Sequence, residues 1–573
     1  MSDFILTDLH FRKGKLKKYI NNIYTETSPE VKEYHGKWGT LCFSKNQYNE
    51  YSEYENDKHL FLVIGGPILL IEDIPPISKT AILYKKAINN ELDLKKHLSG
   101  PFVLILIDKI NKNFKISTDL MSFIPVYKYQ LNDNIIVSTH VDILAKVAGI
   151  DKKIDIISEL DFILNGIVTF PYTSYEDIRQ LYPASIYNYI NSEMFSKPYW
   201  IPKEKNHFRT INEAADYIRS SLKEYINIVS KNNKEIAHFI SAGEDSRFIS
   251  SLLKEHKKKR AIIFLDEMNR EGRIAKKIAN IYESKFTPLF REKNYYLNIL
   301  PGVSKLIGKG AQYFHGHSYG LISDMESDVP IIGGFFADTI LKGLPIKKKL
   351  FSNRFSFFPD IIDKEAGINT FENLDYFDEY YISEVNKRRK EHLEYIKSFR
   401  KDSFIEWFEL WPSSMNKNIA NIHTNRRLFK MYEPFTSNKV VIASSIIPQA
   451  WKINGKLYQK IIKPELKDTK FIIHDSGKLP YFPWYINIFT HFPIKVFMKV
   501  KDILEKKDNQ GSWTNWKYLI GNDLWYKMLT EYSTGVKPIN ELFSEKELSA
   551  IINSDKLNTH QKLNLMQTLY NNT

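Results

Sequence analysis

The stretch IAHFISAGEDSRFISSLL, residues 236–253, decides the fold of this 573-residue chain. Its first five residues form a short apolar run, which predicts a buried parallel strand. The small-residue loop 241–246 follows, and from Arg247 onward the apolar residues recur at helical spacing. A strand, a tight loop and a helix N-terminus bring backbone N–H groups and the positive end of a helix dipole together. This arrangement predicts a phosphate-binding loop.

The side chains of the loop fit that prediction. Ala242 and Gly243 let the backbone approach an anion closely, and the hydroxyls of Ser241 and Ser246 can donate hydrogen bonds to it. Asp245 would repel a bare phosphate, so its presence indicates a bridging Mg²⁺. The alternative is an ordinary strand-to-helix turn without a ligand, since short motifs also match by chance.

Composition limits the class of protein. A chain of 573 residues is too long for one hydrophobic core, so two or three domains are expected. The single cysteine, Cys42, excludes a disulfide within the chain and a cysteine-based metal site. The first residues lack the pattern of a signal peptide, and no apolar run is long enough to span a membrane. We therefore expect a cytoplasmic protein.

The net charge of +14 allows binding to nucleic acid, to an anionic membrane or to polyanionic ligands. The lysines are dispersed, however, and no nucleic-acid-binding module is recognisable. We expect a solvated, lysine-rich surface and no nucleic-acid partner.

Strand and helix signals divide the chain into regions. Residues 1–150 contain short strands with turn signals, typical of a mostly antiparallel β region. These strands are predicted at 38–43, 60–64, 102–107 and 135–138. From a capping box at Thr210, helices and strands alternate, which predicts a parallel sheet with helices on both faces. After about residue 350 the pattern is mostly helical. The fold class is α/β.

Several ordered motifs resemble those of the asparagine synthetase family. The loop at 241–246 resembles the SGGxDS pyrophosphate loop of enzymes that cleave ATP between its α and β phosphates, with Ala242 replacing a glycine. Residues 329–338, VPIIGGFFAD, resemble the family's SGxGxD motif, and 432–435, YEPF, resembles its R-x-PF turn. Residues 454–456, NGK, resemble its GK, with Lys478 following 22 residues later. Residues 160–200 resemble the connector between its two domains.

This resemblance implies an ATP-binding synthetase domain over 205–500, of the parallel α/β, adenine nucleotide α-hydrolase-like (PP-loop) type, followed by a helical C-terminal extension at 501–573. The implied cofactors are ATP and Mg²⁺. Asp245 and Asp338 would hold the metal. Lys456 would contact the pyrophosphate, and Lys478 would neutralise charge in both reaction steps. The implied nucleotide-binding residues are Ser241, Ala242, Gly243, Asp245, Ser246, Arg247, Gly333 and Gly334.

One of these residues has an open alternative. Arg247 follows the loop directly and is expected either to pair with a phosphate or substrate carboxylate or to be an exposed helix arginine.

The N-terminal region resembles the family's glutaminase-like domain, which implies a degenerate Ntn-type domain of antiparallel β (αββα) layers over 1–200. That domain needs a cysteine nucleophile at residue 2, where this chain has Ser2. Cys42 lies in a predicted strand, where it is expected to be a small buried hydrophobe. We expect the domain to be inactive and structural, with a Ser2 nucleophile as the alternative. The matching pieces are 99–102, 118–119, 125–127 and 137–139.

The predicted function is that of an ATP-dependent amide ligase. A carboxylate attacks the α-phosphate of ATP to give an acyl adenylate and pyrophosphate, and an amine then displaces AMP. Phe335 stands where asparagine synthetases have a glutamate and the β-lactam-forming relative has a tyrosine that helps to deprotonate the amine. Thr339 replaces an acidic residue. The acceptor chemistry is therefore expected to differ from that of both relatives, or the base comes from elsewhere, such as the substrate. As a whole, the chain resembles β-lactam synthetase, lasso-peptide cyclase-like or surface-polysaccharide-associated members more than true asparagine synthetase.

The expected partners are a small-molecule or peptide carboxylate and an amine, with glutamine-derived ammonia disfavoured. The acceptor stays open between an amino acid joined to a sugar acid, an internal amine that closes a lactam, and free ammonia. Two other classes compete with this interpretation. One is a tRNA-modifying enzyme with the same loop, and the other is an inactive relative that acts as a scaffold.

Two further features have weaker interpretations. His315 and His317 resemble a pair of metal ligands, but no carboxylates stand at useful spacing from them. We therefore expect these two histidines to lie in a loop near the active site or on the polar surface. Residues 484–500 mix aromatics with lysines. They are expected to pack on the synthetase core, with peripheral contact to a membrane or a partner as the alternative.

Overall fold

The computed structural model describes residues 3–71, 78–231, 233–325, 329–346, 361, 376–474, 477–483, 486–487, 489, 493–498, 500, 511–543, 548–554 and 556–573. Within these ranges, none of the helices combines the length and the apolar character needed to cross a bilayer.

The N-terminal region contains two six-stranded antiparallel sheets. The first has the strand order β12-β10-β11-β1-β3-β2 and the second β14-β13-β9-β8-β5-β4. A two-stranded ribbon pairs β6 with β7. The strands are β1 Phe4–Thr7, β2 Val31–Gly36, β3 Gly39–Ser44, β4 Tyr54–Glu55, β5 His59–Gly65, β6 Ile68–Leu69, β7 Leu98–Ser99, β8 Phe102–Asp108, β9 Asn113–Thr118, β10 Tyr127–Leu131, β11 Asn134–Ser138, β12 Arg179–Gln180, β13 Ser185–Ile190 and β14 Glu193–Pro198.

The two sheets pack face to face because alternate residues of each strand are apolar. Phe4 and Leu41 of the first sheet share one cluster with Leu62 and Ile105 of the second. The opposite faces carry helices, so the order of layers is helix, sheet, sheet, helix. The prediction of an antiparallel β region is confirmed, and Cys42 is buried in β3 as expected. The helices are α1 Lys15–Ile23, α2 Lys79–Ile88, α3 Val141–Ala148 and α4 Ile156–Asn165.

The second region holds a five-stranded sheet in which every pair is parallel, with the order β17-β16-β15-β18-β19. The predicted parallel sheet is therefore confirmed, and its first strand in sequence lies at the centre. The strands are β15 Ile236–Phe239, β16 Lys259–Leu265, β17 Lys285–Phe290, β18 Ile331–Ile332 and β19 Met431–Tyr432.

Helices connect and follow these strands, as the alternating pattern predicts. The helix after β15 begins at Glu244 rather than at Arg247, because Gly243 has the extended backbone of an N-cap residue. The helices are α5 Ile211–Lys231, α6 Glu244–Leu252, α7 Arg270–Ile281, α8 Tyr295–Asn298, α9 Leu300–Ile307, α10 Ala337–Ile340, α11 Glu379–Lys397, α12 Phe404–Phe408, α13 Ala420–Leu428, α14 Asn438–Ile446, α15 Gln449–Lys452, α16 Lys456–Ile462, α17 Trp516–Leu519, α18 Asp523–Glu531, α19 Leu548–Asn553 and α20 Thr559–Asn572.

The C-terminal helices belong to the core rather than to a separate appendage. In α20, the Asn564 amide donates to the Phe162 carbonyl of α4 at 3.1 Å. Gln567 accepts a hydrogen bond from the Tyr313 N–H at 3.0 Å and donates to the Ala311 carbonyl at 2.8 Å. The last helix thus ties the N-terminal sandwich to the segment that precedes β18.

The two halves also meet at a buried ion pair that involves Asp3, the first residue described. Its carboxylate accepts two hydrogen bonds from Arg427 at 2.8 Å and one from Arg426 at 3.1 Å, both on α13. Tyr24 and Thr139 donate to the same carboxylate at 2.7 and 2.9 Å. Burial alone would raise the pKa of Asp3, but the two guanidinium charges hold it well below its ordinary value. Asp3 therefore stays ionised at the interface.

We expect Arg427→Met to lower the free energy of unfolding by about 3 kcal/mol, because it leaves a buried carboxylate with one remaining ion-pair partner. Urea titration of the purified protein measures the change. The matched control is Lys45→Met, which breaks an exposed pair with Glu30 and should leave the midpoint unchanged. Equal midpoints for the two variants would contradict a structural role for the buried pair.

Candidate functional site

The loop after β15 lies at the carboxyl edge of the parallel sheet, where ligands of open α/β sheets bind. Its hydroxyl groups shape the loop itself. Ser246 Oγ accepts a hydrogen bond from the Ser241 N–H at 2.9 Å and lies 3.0 Å from Ser241 Oγ. Ser241 Oγ in turn accepts from the Gly243 N–H at 3.0 Å. The N-cap residue of α6, Gly243, has no side chain that could cap the helix, and the first turn of α6 faces this edge.

Ala242, at the centre of the loop, is fully buried. Its N–H points to Glu271 Oε1 at 3.4 Å, and Glu271 Oε2 accepts a second hydrogen bond from the Ser512 N–H at 2.5 Å. Glu271 thereby connects the loop to the C-terminal extension. The sequence analysis missed this residue, because a glutamate in the first turn of α7 carries no sign of a partner 241 residues away.

Arg247 is fully buried, so the expectation of an exposed helix arginine is wrong. Its guanidinium donates to the carbonyls of Ile472 at 2.8 Å, Ala242 at 3.2 Å and Ile473 at 3.3 Å. Burial lowers the pKa of Arg247 to about 10, which still leaves it charged at neutral pH. These contacts fasten the segment that leads to Lys478 onto the loop. A direct contact with phosphate stays a prediction.

The second motif follows β18, the strand beside β15. Gly334 lies against the loop, since a Cβ there would be 3.5 Å from that of Asp245. Gly333 lies against Glu433, and a Cβ there would be only 2.1 Å from Glu433 Oε1. Both glycines therefore allow close approach between neighbouring strand ends. The structure brings the two phosphate motifs predicted from sequence side by side.

Asp245 and Asp338, the two predicted metal ligands, meet at one cation. The ammonium of Lys342 lies 2.6 Å from Asp245 Oδ1, 2.7 Å from Asp338 Oδ1 and 3.1 Å from Glu244 Oε1. It also lies 4.6 Å from the centre of the Tyr458 ring. The sequence analysis missed Lys342. Its spacing of four residues from Asp338 could have indicated that one ion pair, but not the contact with Asp245.

The charges in this cluster are strongly coupled. Burial raises the pKa of Asp245 to about 7, against the opposing charge of Lys342. Burial disfavours the ammonium of Lys342, but Asp245, Glu244 and Asp338 together raise its pKa well above its ordinary value. Lys342 therefore stays protonated, and the cluster keeps an excess of negative charge once Asp245 is ionised.

The residues of the cluster fit a divalent cation. Their carboxylates are hard oxygen donors that already converge on one positive charge, which is the donor type that Mg²⁺ prefers. Among the described residues, no group of three or more His, Cys, Asp or Glu side chains is arranged to hold a metal by itself. Further ligands would have to come from a bound phosphate.

The two predicted catalytic lysines lie on segments that border the cluster. Lys456 is half-buried at the first position of α16, directly after Asn454 and Gly455, which both have left-handed backbone. Tyr458, on the same turn, contacts Lys342. Lys478 is exposed in the turn whose preceding residues, Ile472 and Ile473, are held by Arg247. The catalytic roles of both lysines stay predictions.

Two weaker expectations need correction. His315 and His317 are half-buried and pack against aromatic rings, so they are not plain polar surface. Burial lowers the pKa of His315 to about 3, and Tyr296 is hydrogen-bonded to His317. In the 484–500 segment, four of the described apolar side chains are exposed, which contradicts packing on the core for these residues. They are Phe489, Val496, Phe497 and Val500. Ile486, Ile494 and Met498 are half-buried.

Comparison with known proteins identifies the type of one domain in this chain. Residues 77–200 match the family model of a glutamine amidotransferase domain, so the N-terminal half contains a domain of that type. The match ends before the parallel-sheet region begins. No curated protein matches the chain. Ser2, where the family nucleophile would be, lies outside the described residues.

Two solved structures show weak overall similarity. One is described as the allosteric regulatory enzyme of purine biosynthesis, and the other as glutamine phosphoribosylpyrophosphate amidotransferase from B. subtilis complexed with ADP and GMP. Each aligns at 10% identity over 62% of this chain and 77% of the other. Their TM-scores of 0.25 and 0.23 do not establish a common fold.

We expect Lys342→Met to destabilise the protein by about 2 kcal/mol at pH 8, because three carboxylates then face one another without a cation. Without Lys342, Asp245 keeps a pKa above its unfolded value, so the folded state binds the extra proton. Stability should therefore recover as the pH falls from 8 to 6. Urea titration at both pH values measures this.

The matched control is Lys439→Met, which removes an exposed lysine paired with Glu224. It should show neither the loss nor the recovery. A Lys342→Met variant as stable as wild type at pH 8 would contradict the role of Lys342 as the cation of the cluster.

Proposed function

We propose that this chain is an ATP-dependent carbon–nitrogen ligase of the asparagine synthase type, which activates a carboxylate as an acyl adenylate and passes it to an amine. One observation carries the proposal. Asp245 and Asp338 come from two motifs 93 residues apart, yet they converge on one cation at the carboxyl edge of a parallel sheet. The uncapped N-terminus of α6 faces the same edge.

ATP would bind with its pyrophosphate against the loop. The N-terminal amides of α6 and the backbone of Gly333 and Gly334 would receive the phosphates, since neither glycine has a side chain to block them. Mg²⁺, held by Asp245 and Asp338, would supply positive charge to the phosphate oxygens. Lys342 would remain as a second positive charge beside the same carboxylates.

The reaction would then proceed in two steps. A carboxylate oxygen attacks the α-phosphorus, and the bond to the β-phosphate oxygen breaks to release pyrophosphate. An amine next attacks the acyl carbon and AMP leaves. Lys456 would hold the pyrophosphate side, and Lys478 would stabilise the negative charge that develops at the α-phosphate and at the acyl oxygen. The contribution of the protein is positioning and electrostatic stabilisation.

The amidotransferase-type domain would have a structural role in this enzyme. Asp3, one residue after Ser2, is saturated by Arg426, Arg427, Tyr24 and Thr139. These contacts tie Asp3 to the other half of the molecule. Because residue 2 is a serine and not a cysteine, the nitrogen donor would be an amine or ammonia that arrives without glutamine hydrolysis.

ATP–pyrophosphate exchange tests the first step. We expect exchange with at least one member of a panel of aspartate, uronic acids and short peptides in the presence of Mg²⁺. Asp338→Ala and Lys478→Ala should each lower the exchange by about 100-fold or more, because the first removes a proposed Mg²⁺ ligand and the second removes a positive charge beside the transition state.

The controls are Asp216→Ala and Lys439→Ala, which remove exposed charges outside the site and should exchange like wild type. No exchange with any acid, together with no ATP binding by calorimetry, would refute the ligase proposal and favour a scaffold.

Glutamine should not serve as the nitrogen donor. We expect no release of glutamate from glutamine by the wild-type protein, with or without ATP, because residue 2 lacks a thiol. A coupled glutamate assay measures this. The wild-type protein is compared with the Ser2→Cys variant, which is prepared with Met1 removed. Glutamate release by wild type would show that Ser2 is a nucleophile and that the domain is active.

A further inference from the structure

The proposed ligase lacks a base at the position where its relatives carry one, since Phe335 is apolar. The structure places another carboxyl group beside the backbone of Phe335. Glu433 follows β19, the strand next to β18, and its Oε2 accepts a hydrogen bond from the Phe335 N–H at 3.0 Å. Its Oε1 lies against Gly333, where no Cβ could fit. The carboxyl group of Glu433 thus lies under the backbone of the second phosphate motif.

Glu433 also lines a small cavity between the two halves of the molecule. The sandwich contributes Gly65, Pro101 and Ile124, and the region around β19 contributes Ile422, Arg426 and Met431. Its volume is about 30 Å³, which is enough for a molecule of the size of water. A proton could therefore pass between Glu433 and a neighbouring group directly or through one such molecule.

The surroundings of Glu433 contain few charges. Arg426 lines the same cavity, but its guanidinium pairs with Asp3. The Tyr48 hydroxyl donates to the Met431 carbonyl, and the Tyr225 ring completes the wall. Glu433 is the single carboxylate among the described residues that line this cavity. Burial raises its pKa to about 8, although the Phe335 N–H lowers it. A carboxylate with such a value is a base suited to neutral pH.

We propose that Glu433 is the general base of the amine-transfer step, in place of the residue that Phe335 has lost. The amine nitrogen attacks the acyl carbon of the adenylate and a C–N bond forms. The bond from that carbon to the AMP oxygen breaks, and its electron pair leaves with AMP. The proton from the nitrogen passes to the carboxylate of Glu433. This inference rests on the proposed ligase function.

The test separates the two half-reactions in the full-length protein. Glu433→Gln keeps the size of the side chain and an oxygen that can accept from the Phe335 N–H. We expect its ATP–pyrophosphate exchange to stay within about twofold of wild type, with the panel of aspartate, uronic acids and short peptides. Amide formation with ammonium chloride should fall by about 100-fold or more. With hydroxylamine, which is unprotonated at neutral pH, the loss should be smaller.

The pH profile of wild type provides a measurement that needs no variant. With hydroxylamine as the acceptor, the rate of the transfer step should rise with pH through a midpoint near 8, as Glu433 ionises. Glu433→Gln should lose this rise. Returning a carboxylate with Phe335→Glu in the Glu433→Gln protein should restore part of the transfer rate, which a merely structural role of Glu433 would not allow.

The control variant is Glu159→Gln, which changes another buried glutamate whose pKa is raised by burial and should leave both half-reactions intact. Amide formation by Glu433→Gln at the wild-type rate, or a parallel loss of exchange and transfer, would overturn the proposal while leaving the ligase function standing. Failure of wild type to exchange with any acid would instead refute the ligase function, and this inference with it.

Discussion

The buried carboxylate of Asp3 is the constraint on which the arrangement of the two halves depends. Two arginines from α13 donate to it, and α13 ends three residues before β19 begins. The ion pair therefore fixes the edge strand of the parallel sheet against the start of the sandwich. A charge pair of this kind needs accurate geometry to offset the cost of desolvation. It follows that β19, and with it Glu433, has a defined position relative to the interdomain cavity.

The acidic cluster shows how carboxylates that repel one another can be held close together by the chain itself. Two aspartates and a glutamate at a helix N-terminus would repel one another, and burial adds to the cost. Lys342 supplies the missing positive charge from within the chain, and its contact with Tyr458 adds a second segment to the cluster. Arg247 adds a third by holding the backbone at 472–473. Contacts within the chain thus hold the segments that bear Lys456 and Lys478 close to the loop.

The sequence predicted the strands and helices of this fold better than it predicted which residues contact one another. The apolar run at 236–240, the capping signal at Thr210 and the short strands of the N-terminal region are local signals. The structure confirms the strands and the hydrogen bond from the Glu213 N–H to Thr210 Oγ1, whereas the Glu213 carboxylate accepts from the Arg209 N–H and does not close the capping box at Thr210. The resemblance implied that Asp245 and Asp338 act together, and the structure places both beside Lys342. Glu271 and Glu433 could not be found from local patterns, because their partners come from segments far away in sequence. Local spacing could have indicated the Asp338 partner of Lys342 but not its contact with Asp245. For Arg247 two roles stayed open, since helical spacing does not reveal that residues 472–473 cover it.

Glu433 shows how one strand of a parallel sheet can place a carboxyl group beside the end of its neighbour. A parallel sheet brings the ends of adjacent strands within hydrogen-bonding distance, so a group needed at one strand end can be supplied by the next. Phe335 packs against Phe336, which in turn contacts Phe123 of the sandwich. An apolar residue at that position strengthens the interdomain contact. The Glu433 carboxyl group lies directly after β19 and beside the backbone of Phe335, where Gly333 leaves room for it and burial raises its pKa to about 8. The two neighbouring strands thus contribute different features at this edge of the sheet, since β18 leads into the apolar contact with the sandwich and β19 leads into a buried carboxyl group.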